Sequence, residues 1–366
     1  MANHARPAKT IGILTSGGDC SGLNAAIRAV VCRAIEGHGW RVLGIRQGTM
    51  GLLRRPVEFE ELGLRIVTTN ILRMGGTILG TTNKGDPFAF PMSDGSVRDR
   101  CEEVIAGYRE LGLDALIGIG GDGSFAILRR LAIQGGLNLV GIPKTIDNDV
   151  GATENSIGFQ SAVEVATEAL DRLQPTAASH DRVMILELMG RDAGHIALTA
   201  GIAGGADIIL IPEIDYTIEN VAAHIARVRE RGRNFALVVV AESVKDPRGH
   251  QVRQHHGSGG ATYGGIGHRL GDEIARLTGA ETRVTVLGHV QRGGEPNAID
   301  RLIGSAFGVH AVDLVAAGQF DRMVAWQNRQ VVDVPLAQAI AVPQLVDRAG
   351  TLVRTARGLN ISFGDA

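Results

Sequence analysis

The sequence predicts an α/β fold in two domains with mostly parallel, helix-covered sheets. Short apolar runs alternate with amphipathic stretches, the arrangement that gives layered sheets and helices. The runs end in glycine turns, as strands do where they enter helices. A length of 366 residues exceeds what one hydrophobic core usually organises.

Composition narrows the class. Hydrophobic residues make up 44% of the chain, enough for substantial cores. No apolar run nears the roughly 18 residues a membrane span needs. The opening residues lack the apolar segment of a signal peptide. Three cysteines, Cys20, Cys32 and Cys101, are odd in number, widely spaced and without metal-ligand pairing, which fits a reducing cytoplasm. A formal charge of −2 gives no global pull toward nucleic acid or membrane. Among 37 basic residues only Lys9, Lys84, Lys144 and Lys245 are lysines, a bias that a GC-rich genome would also produce.

In chain order, residues 11–16 read as a buried strand entering Gly17-Gly18-Asp19-Cys20-Ser21-Gly22. The helix that follows draws its apolar positions from Ala25, Ile27, Val30, Val31 and Ile35. Strand, glycine turn and helix in succession aim free N–H groups at a phosphate. The Gly-Lys-Ser/Thr ending of a P-loop is absent, and a tight βα turn would carry the same letters. Residues 41–46 read as the next strand, and residues 73–87 as a long polar loop in which Lys84 offers a charge to a phosphate or to water.

Residues 115–124 form a second strand-to-glycine turn, opening onto a helix over 125–131. Gly118, Gly120 and Gly123 satisfy G-x-G-x-x-G, so a dinucleotide-binding dehydrogenase is a rival reading. Against it, Asp122 would repel a bare pyrophosphate and suits a bridging Mg²⁺. The ribose-binding acid is also missing, with Pro143 and Lys144 at its place.

The apolar run 137–140 reads as a buried strand, with Pro143 ending its ladder. The stretch 141–149 then carries Lys144, Thr145, Asp147 and Asp149. One carboxylate can accept a proton while its neighbour organises a cation, with the lysine facing an anion. An Asx-rich turn bonding only nearby amides would look alike.

Val163, Ala166, Leu170 and Leu173 space a helix over 161–173. The strand 183–188 delivers Met189-Gly190-Arg191 toward a helix; 207–211 and 235–240 are further strands, the latter leading to Glu242. Residues 245–267 read as a polar, mobile stretch, and its paired His255 and His256, lacking the spacing of a metal site, as surface. The strand 283–287 enters Gly288-His289-Val290-Gln291-Arg292-Gly293-Gly294.

Together these strand ends offer a coherent set of tools. Two glycine turns can hold a polyphosphate, Asp122 can place a metal, and Asp147 can take a proton from a hydroxyl. Arg182, Arg191, Arg283, His289 and Arg292 offer cations to a second, phosphorylated substrate. Phosphoryl transfer needs these parts.

At this point the motifs resemble 6-phosphofructokinase: the early Gly-Gly-Asp, Gly120-Gly121-Asp122-Gly123-Ser124, Pro143-Lys144-Thr145-Ile146-Asp147-Asn148-Asp149, Met189-Gly190-Arg191 and Gly288 to Gly294 occur in the family order, over roughly residues 10–330. The resemblance implies two facing α/β domains with the active site between them. Residues 9–158 plus 291–341 would bind nucleotide and Mg²⁺, and residues 159–290 plus 342–366 the sugar phosphate. It implies that Asp147 is the base for the C1 hydroxyl of fructose 6-phosphate, steadied at the moving phosphoryl by Thr145 and Arg191. Gly18, Asn83, Lys84, Gly121, Asp122, Gly123 and Ser124 would contact ATP, with Asp122 the Mg²⁺ ligand. Met189, Gly190, Glu242, His289 and Arg292 would hold the sugar phosphate. Arg182 and Arg283 match arginines supplied by a neighbouring subunit, implying a homo-oligomer, usually a tetramer.

Two positions report the donor in that family. Gly123 matches ATP users and Lys144 is commoner in pyrophosphate users. An aspartate at 123 would oppose the α-phosphate by roughly 4 kcal/mol at ~4 Å and an effective dielectric of about 20. Glycine leaves room for a nucleotide, so the reading is an ATP-dependent, glycolytic, cytoplasmic enzyme. A pyrophosphate-dependent phosphotransferase is the alternative, and a non-catalytic regulatory subunit the alternative of another class, opposed by the intact Asp122, Asp147 and Asp149. Thr49 and Asn83 replace a tyrosine and an arginine of the usual nucleotide pocket. Cys32, Gln174, Asn234 and Phe235 replace basic residues and a histidine of the usual effector site, while Arg28, Glu213, Arg231 and Arg233 remain. The resemblance therefore does not extend to switching by ADP and phosphoenolpyruvate.

Overall fold

The computed structural model describes residues 8–246, 248–255 and 261–365. They divide into two compact units. One takes the described residues up to Thr145 with 150–158 and 292–343; the other takes 146–149, 159–291 and 344–365.

The first unit begins with β1 (Thr10–Thr15), α1 (Leu23–His38), β2 (Arg41–Ile45), α2 (Thr49–Leu53) and β3 (Phe59–Glu61). A small hairpin, β4 (Phe90–Pro91) with β5 (Val97–Arg98), precedes α3 (Cys101–Glu110), β6 (Ala115–Gly120), α4 (Asp122–Gly135) and β7 (Leu139–Pro143). The second unit runs through α5 (Phe159–Ser179), β8 (Val183–Leu188), α6 (His195–Ala203), β9 (Ile208–Leu210), α7 (Ile218–Glu230) and β10 (Ala236–Ala241). It continues with β11 (Arg253–His255), β12 (Ala261–Tyr263), α8 (Ile266–Thr278) and β13 (Thr282–Val286). The chain then re-enters the first unit as α9 (Ala298–Ala317), β14 (Arg322–Gln327), β15 (Gln330–Pro335) and α10 (Leu336–Ala341), and α11 (Thr351–Gly358) belongs to the second.

The first unit's sheet is ordered β15-β14-β7-β6-β1-β2-β3, parallel except for its two edge strands, β15 and β3. Strands β6 and β7 are buried along their whole length, and β1 beyond its first residue, as expected where helices cover both faces of a parallel sheet. On one flank α1 packs against α9 through small residues: a Cβ at Gly308 would fall 2.6 Å from the Ala26 carbonyl oxygen and 2.7 Å from the Ala29 Cβ. That close approach fixes where α1 begins, and with it the glycine turn ahead of it.

The second unit's sheet, β13-β8-β10-β9, is all parallel. Glu187 lies within β8, only 1% exposed, and its carboxylate accepts the N–H groups of Gly265 and Gly267, both at 2.8 Å. A buried carboxylate is tolerated because it neutralises the amides that open α8. Buried Glu213 accepts the N–H groups of Gly194 and Val346 in the same way. Residues near the end of the chain also close this unit: Ile208 bridges Ser362, and the Thr217 N–H donates to the Gly364 carbonyl at 2.9 Å.

Several boundaries differ from the sequence reading, among them the helix read over 125–131, which is Asp122–Gly135. The strand before the Lys144 loop is displaced from 137–140 to Leu139–Pro143, because α4 extends to Gly135 and its left-handed cap at Gly136 (φ 65°) claims Leu137, whose N–H returns to Ala132. Residues 141–143 are thus strand, not loop. The helix 161–173 runs on past Pro175 to Ser179 as α5, its last turn anchored by Ala177 packed with Met184, Phe235 and Leu237. The stretch 245–267 contains an antiparallel pair, β11 with β12, and buried Asp246 accepts from the N–H groups of Arg248 and His250 and from Arg269. His256 to Gly260 lie outside the described residues. Among those described, no helix is long and apolar enough to cross a membrane.

Gly308→Ala should lower stability. The extra methyl meets backbone that cannot rotate away, and overpacking of about 1–3 kcal/mol exceeds the ~1 kcal/mol of helix propensity gained. A lower urea midpoint with unchanged slope checks this.

Candidate active site

The turn after β1 is held from several sides within the first unit. The Ser16 N–H donates to the Ile119 carbonyl and the Gly17 N–H to the Thr82 carbonyl, each at 2.9 Å. Gly17 has φ 84°, a left-handed conformation that glycine adopts freely. Thr81 Oγ1 donates to the Gly17 carbonyl at 2.7 Å. Arg292 Nη1 donates to the Asp19 carbonyl at 3.0 Å and lies so close that a Cβ at Gly18 would be 2.9 Å from it. Lys144, 4% exposed, donates from Nζ to the Ser16 carbonyl at 2.9 Å and to the Gly18 carbonyl. Asn24, at the start of α1, ties down the long polar loop, donating to the Met74 carbonyl at 3.0 Å and accepting from the Ile78 N–H at 2.9 Å. Cys20 is fully buried, and that burial pushes its thiol up to about 12, so it is no nucleophile.

The second turn leaves β6 at Gly121 and opens α4 at Asp122. The helix N-terminus presents amides to an anion. Asp122 is exposed, and its Oδ1 accepts the Gly123 N–H at 2.6 Å. Gly123 is exposed too, its φ is not positive, and a Cβ there would meet none of the described residues within 4 Å. Neither backbone conformation nor packing demands glycine at this position. Ser124 Oγ would lie 3.1 Å from a Cβ at Gly17, so the two glycine turns adjoin. Asn83 and Lys84 are exposed on the loop after Thr82, whose Oγ1 donates to the Lys84 carbonyl at 3.0 Å. Thr49, by contrast, is buried at the start of α2.

Among the described residues no group of three or more His, Cys, Asp or Glu is arranged to hold a metal ion. One exposed carboxylate at a helix start fits instead a divalent ion carried largely by substrate phosphates and water, which is how Mg²⁺ is commonly bound.

The division between the units runs through the 143–149 motif, with Thr145 counted in the first and Ile146 to Asp149 in the second. Asp147 and Asn148 are 8% and 5% exposed, between the buried Ile146 and Val150. Asn148 has φ 53°, the left-handed region that asparagine tolerates better than other side chains, and this turn separates the two aspartates. The Gln344 N–H donates to the Asp149 carbonyl at 2.8 Å.

Within the second unit, the Met189 N–H donates to Gln291 Oε1 at 2.7 Å, and the Glu242 N–H to the Leu188 carbonyl at 2.8 Å. Gly190 is buried beside Met189, while Arg191 and His289 are exposed. Arg182 pairs with Glu281 at 2.9 Å and Arg283 pairs with the same carboxylate. The Arg182 hydrogen bond, with the charge of both arginines, holds Glu281 below the usual carboxylate range. The structure thus brings Gly18, Ser124, Lys144 and Arg292 to one turn, and Arg182 and Arg283 to one acid. Arg292 is counted in the first unit, and Met189, Gly190, Glu242 and His289 in the second. The sequence reading missed Asn24 and Gln291, although Gln291 sits inside the quoted Gly288 to Gly294 motif.

Asn148→Val should be less stable than Asn148→Gly by about 1–2 kcal/mol, since both lose the amide and only valine resists a positive φ. Denaturant midpoints of the two variants measure that difference.

Comparison with known proteins agrees with this geometry. A family model described as phosphofructokinase matches residues 10–315. The ATP-dependent 6-phosphofructokinase 1 of Synechocystis sp. is 64% identical over 357 residues, covering 98% of this chain and 99% of its own. Among solved structures, Pichia pastoris phosphofructokinase in the T-state matches with a TM-score of 0.80 and 30% identity over 99% of this chain, which spans 38% of that longer one. A pyrophosphate-dependent phosphofructokinase from Marinobacter aquaeolei matches with a TM-score of 0.78 at 21% identity over 97% of this chain and 92% of that one, a likeness of fold. By sequence and by fold, the chain belongs to the phosphofructokinase family.

Proposed function

We propose that this chain is an ATP-dependent 6-phosphofructokinase, transferring the γ-phosphoryl of ATP to the C1 hydroxyl of fructose 6-phosphate in cytoplasmic glycolysis. The observation that carries the donor is Gly123: among the described residues nothing requires glycine there, and its lack of bulk and charge is what a nucleotide α-phosphate beside it needs. The 64% identical relative from Synechocystis sp. is named for the same donor.

In this reading the nucleotide is held by Gly18, Asn83, Lys84, Gly121, Asp122, Gly123 and Ser124. Asp122 would hold Mg²⁺, which would supply charge neutralisation on the donor. Asp147 removes the proton from the C1 hydroxyl, and Thr145 and Arg191 steady the phosphoryl in transit. Met189, Gly190, Glu242, His289 and Arg292 hold the sugar phosphate. Arg182 and Arg283 serve a neighbouring subunit's site in a homotetramer, Glu281 keeping the two guanidinium groups together.

With Mg²⁺ and fructose 6-phosphate, turnover is expected with ATP and not with pyrophosphate. Turnover with pyrophosphate alone would overturn the donor, and none with either would overturn the enzyme. Asp147→Ser should keep the fold and lower kcat by about 10²–10⁴. Gly123→Asp should leave the melting temperature unchanged, since its side chain has open space, and lower kcat/KM for ATP by up to about 10³, the equivalent of ~4 kcal/mol of repulsion.

A further inference from the structure

Lys144 invites comparison with a phosphate-binding lysine, but its surroundings are those of a structural cation. Its Nζ donates to the carbonyls of Ser16 and Gly18, and it is 4% exposed. It also lies 3.3 Å from where a Cβ of Gly17 would stand. A trans peptide places its C=O and the following N–H on opposite sides. Drawing the Ser16 carbonyl toward the ammonium therefore turns the Gly17 N–H away from it, and that N–H is found on the Thr82 carbonyl at 2.9 Å. By the same geometry, holding the Gly18 carbonyl turns the Asp19 N–H away from Lys144. Glycines at 17 and 18 leave these peptides free to flip unless something holds them.

We propose that Lys144 is a positioning residue that locks the Ser16–Gly17 and Gly18–Asp19 peptides of the turn in one orientation, so that the turn is formed before the polyphosphate arrives. It does not read the identity of the donor. This rests on the nucleotide reading of the turn given above. A direct phosphate contact would matter only with donor bound, whereas a peptide lock acts in the free protein. Charge is also dispensable to a lock, since a neutral N–H donor can satisfy a carbonyl.

The test compares Lys144→Met and Lys144→Gln in the full chain. Hydrogen exchange without nucleotide is followed over a peptide spanning residues 14–24, alongside KM for ATP and for fructose 6-phosphate. Lys144→Met is expected to speed exchange in that peptide about tenfold and to raise KM for ATP at least fivefold, with KM for fructose 6-phosphate within twofold. Lys144→Gln should stay within about threefold of the parent in exchange and in KM for ATP, and it carries the test alone if the methionine variant does not fold. Unchanged exchange with a KM for ATP raised more than about fivefold in either variant would overturn the lock in favour of direct phosphate contact. Gain of pyrophosphate turnover in either variant would overturn the claim that Lys144 does not read the donor. If the parent chain fails to phosphorylate fructose 6-phosphate with ATP, the functional reading fails, while the exchange comparison still decides the lock.

Discussion

A charged ammonium removed from water must find acceptors within the protein, because isolated burial of a charge costs several kcal/mol. Lys144 finds them in the carbonyls of the turn after β1, and much of the first unit's functional edge follows from that arrangement. The strands β1, β6 and β7 lie side by side, so their ends are neighbours. A side chain just past β7 can reach across the end of β6 to the turn of β1. The three central strands thereby become one platform rather than three separate loop stems.

Arg292 works on the same turn from another direction, arriving just ahead of α9. The two cations hold the carbonyls of Ser16, Gly18 and Asp19, while the Ser16 and Gly17 amides go to Ile119 and Thr82. Positive charge close to such a turn has two separable effects: donors on the cations shape the backbone, and the charge itself adds a field that any nearby anion would feel. The first effect is geometric and survives high salt; the second is screened.

Much of this was legible in the sequence because sheet interiors and glycine turns obey local rules. The strand at 183–188 was placed to the residue by its apolar run, and both glycine turns by their letters. What was not legible depended on long-range partners. A local rule ends a helix near a proline such as Pro175, yet burial of Ala177 among residues from β8 and β10 carries α5 past it. Glu187 interrupts the apolar letters of β8, and only the folded chain shows it receiving the amides that open α8. Lys144 was marked by its motif, but its acceptors lie 128 and 126 residues earlier in the chain, beyond any local pattern.

The second unit has a consequence for how the protein is made. Its sheet reaches β9 by residue 210, yet the bridge from Ile208 to Ser362, the bond from the Val346 N–H to buried Glu213 and the bond from the Thr217 N–H to the Gly364 carbonyl all need residues translated much later. During synthesis on the ribosome, the edge of β9 stays unpaired on that side and Glu213 lacks one of its amides until more than a hundred further residues have emerged. Long-range closures of this kind slow folding and leave strand edges open to other chains. The nascent chain therefore carries an open strand edge and an incompletely satisfied carboxylate through the whole interval in which the chain between β9 and Ser362 is made.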